Sequence, residues 1–255
     1  MNILVLVKQV PDISIIKIDP VTNTLIRSGV PSIINPDDLA GVEEALVLKE
    51  RYGGKVTVIT MGPLQAENMI YSLYARGVDE GYLLTDRKFA GSDTWATSNI
   101  LSSMIKTLPY DLIIAGYQAI DGDTAQVGPQ VAEFLNIPQV THVSKIIEQK
   151  NYKLIVEKKY EEETHHLSVN MPCLITTVKS MNTPRLMKAD LAMHIENKTV
   201  HIIGVDGIIV DQKEIGLQGS PTKVKKTYTK EVIKRSSPIE IEPKEAAMRI
   251  LSLIK

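Results

Sequence analysis

Leu112-Ile113-Ile114-Ala115-Gly116-Tyr117-Gln118-Ala119-Ile120-Asp121-Gly122-Asp123-Thr124-Ala125-Gln126-Val127-Gly128-Pro129 runs from an apolar stretch through a polar loop into an amphipathic one. Residues 112–115 read as a buried strand, 116–123 as a loop and 124–135 as a helix. Gly116 lets the backbone leave the strand sharply. Asp123, with Gln126 three residues on, resembles a capping box. The amides of Thr124, Ala125, Gln126 and Val127 would then face outward at a helix start, a ready site for a phosphate. Asp123 as a plain cap and the glycines as loop formers are the alternative.

The same unit recurs upstream. A strand at 3–7 precedes a hairpin, with strands at 15–18 and 24–27 around a turn at 19–23. Asn35 reads as the N-cap of the next helix, Pro36 suits its first position, and Asp37 and Asp38 complement its dipole. Leu39, Val42, Ala45 and Leu46 recur at helical spacing before Gly53-Gly54 stops the run. A strand at 56–60, a helix at 64–75, a strand at 81–84 and a helix at 94–108 follow, the last capped by Ser92 or Asp93. Such alternation predicts an α/β fold with a doubly wound, mostly parallel sheet, Rossmann-like and of the adenine-nucleotide-binding type.

Beyond Pro138 the helical period disappears. Residues 140–148, 152–159 and 165–169 read as a small antiparallel extension at about 140–170, and 174–178 as a further buried strand. Residues 206–237 are mostly polar, and 223–235 hold six basic residues and one acid. Residues 243–254 form an amphipathic segment with Ala246, Ala247, Ile250, Leu251 and Ile254 on one side. The expected division is a nucleotide-binding domain at 1–205 and a C-terminal arm at 206–255, whose apolar face docks on its own domain or on another subunit.

Composition narrows the function. The 255 residues are 44% hydrophobic and 23% charged, with a net charge of −1, which gives no electrostatic reason to expect nucleic acid or an anionic membrane. A chain of this size buries roughly 70–75% of its unfolded surface and needs no disulfide or metal staple. The single cysteine, Cys173, suits a reducing compartment and reads as a small core residue. No run approaches a membrane span and no signal peptide opens the chain, so a soluble, cytoplasmic protein without membrane insertion is expected.

Ligands of open α/β sheets bind beyond the carboxyl ends of the strands. Four strand-to-helix loops there are rich in small or polar residues. They are 8–12 with Lys8, Met61-Gly62-Pro63, 91–94 with Ser92, Asp93 and Thr94, and 116–128. No Gly-x-Gly-x-x-Gly and no phosphate-loop Gly-Lys-Ser/Thr occurs, which disfavours a typical dehydrogenase or NTPase. His165 and His166 are adjacent in a strand and point to opposite faces, so a shared metal is not expected. No group reads as a catalytic residue, and no metal site is expected.

At these motifs the chain resembles the beta subunit of electron transfer flavoproteins, the FixA-like group. The likeness is carried by residues 7–12, 34–38, 61–63, 118–129 and 182–185, and extends to 216–222. The resemblance implies a heterodimer with an alpha subunit, and a nucleotide site formed by Val7, Lys8, Asn35, Met61, Gly62, Pro63, Ser92, Asp93, Thr94, Gly116, Gln118, Asp121, Gly122, Asp123, Thr124, Ala125, Gln126 and Val127. It implies AMP there in ordinary members. In electron-bifurcating members it implies FAD, reduced by NADH, with electrons passed to a flavin-containing dehydrogenase and to ferredoxin or flavodoxin. Residues 121–129 and 219–222 look like the bifurcating type. Arg185, Leu186 and Met187 are the expected dehydrogenase contact, with Leu191 as a second candidate, and Ile250, Leu251 and Ile254 the expected alpha-subunit contact.

Overall fold

The computed structural model describes residues 1–12, 17–18, 25–26, 31–161, 163–223 and 240–253. It divides into two units, Met1–Lys223 and Val224–Lys255.

In the first unit the chain forms β1 (Asn2–Leu6), β2 (Gln9–Pro11), β3 (Lys17–Ile18), β4 (Leu25–Ile26), β5 (Ser32–Ile34), α1 (Pro36–Tyr52), β6 (Lys55–Met61), α2 (Glu67–Tyr74) and β7 (Glu80–Leu84). It continues through α3 (Thr94–Ile105), β8 (Leu112–Gly116), α4 (Val127–Leu135), β9 (Gln139–Lys150), β10 (Lys153–Tyr160), β11 (Glu163–Asn170) and β12 (Cys173–Thr177). Then come α5 (Ala189–Met193), β13 (Val200–Ile203) and the single turn α6 (Gly216–Gly219). β3 and β4 pair antiparallel, as the expected hairpin requires, and the turn read at 19–23 lies outside the described residues. A second small antiparallel pair, β2 with β5, has no counterpart in the sequence reading.

Nine strands form one sheet in the order β11-β10-β9-β12-β8-β1-β6-β7-β13. β1 runs parallel to both β6 and β8, β12 is parallel to β8 and β9, and β10 and β11 extend the sheet antiparallel. This is the doubly wound α/β fold expected, with its antiparallel extension. The β9–β10 turn places Asn151 and Tyr152 at φ 52° and 58°, the left-handed pair that a tight hairpin needs.

The period of two sorts the strand side chains into two cores. Ile3, Val5, Leu112, Ile114 and Ile175 pack with Val42, Leu46, Ile70 and Leu73 of α1 and α2. Leu4, Leu6, Ile113 and Leu174 pack with Ile100, Met104 and Val131 of α3 and α4 on the opposite face. Cys173 is fully buried in the first core, and burial pushes its thiol up to about 12.

The chain beyond β12 keeps more core character than its composition predicts. β13 adds a ninth strand, parallel to β7. Val205, Ile208 and Ile215 are buried in the second core, and the first compact unit runs to Lys223. In the second unit the described segment is α7 (Pro243–Leu253), with Ile250 and Leu251 exposed. Ile254 lies outside the described residues.

Candidate functional site

β1 and β8 are neighbours, yet the chain leaves them toward opposite faces, through α1 from β1 and α4 from β8. Their carboxyl ends therefore border the crevice where open α/β sheets bind ligands. The first turn of α1 ties this edge together. The Lys8 amide donates to Asp38 Oδ2 at 2.7 Å, and the Asn35 amide to the Lys8 carbonyl at 2.9 Å. Asp37 accepts from the Lys179 amide beyond β12 at 2.7 Å and from the Gln118 amide at 3.4 Å.

Asn35 precedes α1 as expected but makes no side-chain cap. Its side chain instead donates to Asp38 Oδ1 at 2.9 Å and to the Gln118 carbonyl at 2.8 Å, and accepts from the Ile120 amide at 3.1 Å. Fully buried, it uses every polar atom to hold the loop after β8. Asp38 is buried beneath it. Burial pushes its carboxyl up to about 7, Asp37 adding to the rise, while the Asn35 side chain and the Lys8 and Gly116 amides oppose it. A Cβ at Gly116 would sit 2.0 Å from Asp38 Oδ1, so the loop must begin with glycine.

The loop itself corrects one expectation. α4 begins at Val127, not at 124, and no capping box forms, because Asp123 and Ala125 take φ of 48° and 54°, outside the helical region. Gln126 occupies the N-cap position without a side-chain cap, and its Oε1 accepts from the Thr94 hydroxyl at 2.7 Å. The Gly122 and Asp123 amides turn inward to the Ala119 carbonyl. The amides of Thr124, Ala125, Gln126 and Val127 have no hydrogen-bond partner among the described residues. Asp121 reaches back to Lys8, Oδ1 to Nζ 2.7 Å.

The other expected residues divide. Val7 is buried, its amide on Ile59. Ser92 donates to the Phe89 carbonyl and accepts from the Gly216 amide. Asp93 caps α3 through the Ala96 amide and also accepts from the amide and hydroxyl of Thr222. Both thus hold the 216–222 segment, and Thr94 alone of the three faces the loop after β8. Met61, Gly62 and Pro63 end β6 at the same edge, with the Gly62 amide on Leu84. Among the described residues no hydrogen bond joins them to the 116–127 loop.

Two groups at this edge were not expected. The His142 ring lies 3.7 Å from that of Tyr117, centroid to centroid, on a backbone at φ 58°. Burial, then the Lys158 charge, hold the imidazole below its ordinary range against a smaller pull from Asp37. Only the odd backbone of a β-bulge brings His142 there, and no local sequence signal marks it.

Residues 182–187 lie along α1. Asn182 Nδ2 donates to the Ala40 carbonyl at 3.0 Å, and Arg185 pairs with Glu43 at 3.0 Å and Glu50 at 2.5 Å. Arg185 is thereby engaged within the subunit, whereas Leu186 is 85% and Met187 56% exposed. Leu191 lines a cavity behind this segment. No group of three metal-ligating side chains occurs among the described residues, and no described helix is long and apolar enough to cross a membrane.

Comparison with known proteins agrees along the chain. Residues 22–202 match the electron transfer flavoprotein domain. The chain is 51% identical to an electron transfer flavoprotein subunit beta of Clostridium acetobutylicum, over 100% of this chain and 98% of the relative. It is 48% identical to the caffeyl-CoA reductase-Etf complex subunit CarD of Acetobacterium woodii, over 90% and 88%. Protein FixA of Sinorhizobium fredii is 42% identical, over 98% and 90%.

Proposed function

The chain belongs to the electron transfer flavoprotein family, in its beta-subunit and FixA branch, and from that premise we propose that it binds FAD and works in electron bifurcation. In this reading it pairs with an alpha subunit, accepts electrons from NADH, and serves a flavin-containing dehydrogenase and a ferredoxin or flavodoxin. The observation that carries the nucleotide site is the set of unpartnered amides at 124–127, held over the crevice between β1 and β8. Unpartnered amides on a loop that runs into a helix suit a diphosphate, and the Thr94 hydroxyl, which donates to Gln126, holds that loop beside α3.

The residues present fit such a group. Gly122 and Ala125 add no bulk to the loop, and Asn35, Asp37 and Asp38 fix its backbone from beneath. Lys8 supplies a cation at the crevice while anchoring Asp121. When bound, the flavin supplies the electron chemistry; the chain orients it and sets the polarity around it. Tyr117 and His142 form an aromatic wall beside the loop, and the neutral imidazole adds no charge there.

The relative named as part of a caffeyl-CoA reductase-Etf complex favours FAD over AMP, because it belongs with a reductase in one assembly. Cofactor content of the purified heterodimer is the test. Two flavins per heterodimer support this reading; one flavin together with extractable AMP replaces it with an ordinary beta subunit holding AMP structurally.

A further inference from the structure

A cavity of about 280 Å³ opens at the other end of the sheet, between the last turn of α1, the turn from α2 to β7, and the segment after Arg185. Lys49, Arg76, Arg185, Lys188 and Lys198 line it, against Glu50 and Asp79. The carboxylates are already engaged. Lys49 Nζ lies 2.6 Å from Asp79 Oδ1, and Arg185 takes Glu50 together with Glu43. Among the described residues Lys198 reaches the Asp79 carbonyl, at 3.2 Å, and the face of Tyr74 at 5.4 Å.

Arg76 and Lys188 form no close ion pair among the described residues, although the Lys188 charge acts on Glu50. One guanidinium nitrogen of Arg76 donates to the Ser72 carbonyl at 2.8 Å, but its Nε is buried with no hydrogen-bond partner. Burial holds this guanidinium below its ordinary range. With no carboxylate at ion-pair distance among the described residues, the Arg76 charge at the cavity wall favours an anion there. The Lys188 amide bonds the Ala75 carbonyl at 2.8 Å, which sets the two cationic side chains on adjoining backbone.

We propose that this cavity binds a small oxyanion of the phosphate class between Arg76 and Lys188. The volume suits a phosphate or diphosphate, or the phosphate end of a larger ligand, and falls just short of a typical drug-sized pocket. The site is separate from the 116–127 loop, which lies at the opposite strand ends. Leu186 and Met187 emerge between Arg185 and Lys188, so a bound anion would pin the root of that exposed segment to α1 and α2.

The test titrates the purified protein, its own nucleotide retained, with inorganic phosphate and then diphosphate at constant ionic strength. Calorimetry and phosphorus resonance broadening read the binding, and amide exchange is followed over residues 185–191. The expected result is saturable binding with a Kd near or below about 1 mM, slower exchange over 185–191, and about tenfold weaker binding in Arg76→Gln and in Lys188→Gln. Lys188 is exposed, so its variant tests the site even if Arg76→Gln fails to fold. Absence of saturable binding, or binding that survives Lys188→Gln and is lost in Lys8→Met, overturns the proposal. Flavin content does not enter this readout, so the nucleotide reading stands or falls separately.

Discussion

Lys8 Nζ, just beyond the first strand, lies 2.7 Å and 2.9 Å from the two carboxylate oxygens of Asp121, 113 residues later in the chain. The pair spans the crevice between β1 and β8 and holds the outer end of the loop that presents the free amides. Their side chains are 48% and 31% exposed, so the pair adds about 0–1 kcal/mol to stability. Its effect is on the position of the loop. Lys8→Met should lower the nucleotide content of the purified protein severalfold while moving the urea midpoint by less than about 1 kcal/mol equivalent. Full nucleotide content in that variant would show that the loop needs no such anchor.

Gly116 and Gly122 lie in one loop but differ in what surrounds them. A Cβ at 116 meets Asp38 Oδ1 at 2.0 Å and the Asp38 amide nitrogen at 2.8 Å, whereas one at 122 meets nothing within 4 Å. Gly116→Ala should destabilise by roughly 1–3 kcal/mol through overpacking against backbone that cannot retreat. Gly122→Ala should stay within about 0.5 kcal/mol of the parent. Urea unfolding of the two variants checks this, and equal midpoints would refute the close approach at 116.

Asp38 links stability to pH. Its carboxyl titrates near 3.8 when unperturbed and is pushed up to about 7 here, chiefly by burial. The native state therefore holds a proton that the unfolded chain has released between those values. The stabilisation is complete below about pH 4 and is lost as the pH rises through about 7. Between about pH 5 and 8 the parent should lose on the order of 2 kcal/mol relative to Asp38→Asn, which cannot ionise. Parallel pH curves for the two proteins would mean that Asp38 is already ionised at pH 5.

Leu186 projects from a segment that Arg185 fastens to Glu43 and Glu50. At 85% exposure it contributes little to the fold, so Leu186→Ala should leave the urea midpoint within about 0.5 kcal/mol. As the proposed dehydrogenase contact, the variant should retain its flavin and slow electron delivery to the dehydrogenase severalfold. Loss of flavin instead would assign Leu186 to the interior and move the contact elsewhere.

Ile250 and Leu251 are exposed on α7, in the unit that begins at Val224. Removing residues 224–255 should leave the α/β unit with its cooperative unfolding, since both cores are built from residues before that point. Co-purification with the alpha subunit should fall sharply. Stoichiometric recovery of the truncated chain with its partner would place that interface on the α/β unit.

The order of strands and helices, the antiparallel extension and the loops at the carboxyl edge were legible in the sequence. Each rests on near neighbours: the continuous apolar run at 112–115, the helical period of Val42, Ala45 and Leu46, and turn residues at 61–63 and 149–151. Tertiary packing decided the rest. Asn35 has a capping residue's chemistry, but its partners Gln118 and Ile120 lie more than 80 positions away, and nothing local announces them. The Asp-x-x-Gln spacing at 123–126 suits a cap, yet Gln126 bonds Thr94 and α4 starts later. β13 is four residues long, too short for a period, and exists because β7 offers it an edge. The cavity at Arg76 and Lys188 joins segments more than 100 residues apart. Side-chain period and turn chemistry are set along the chain, whereas the partner of a buried polar group is set by whichever backbone the fold brings beside it.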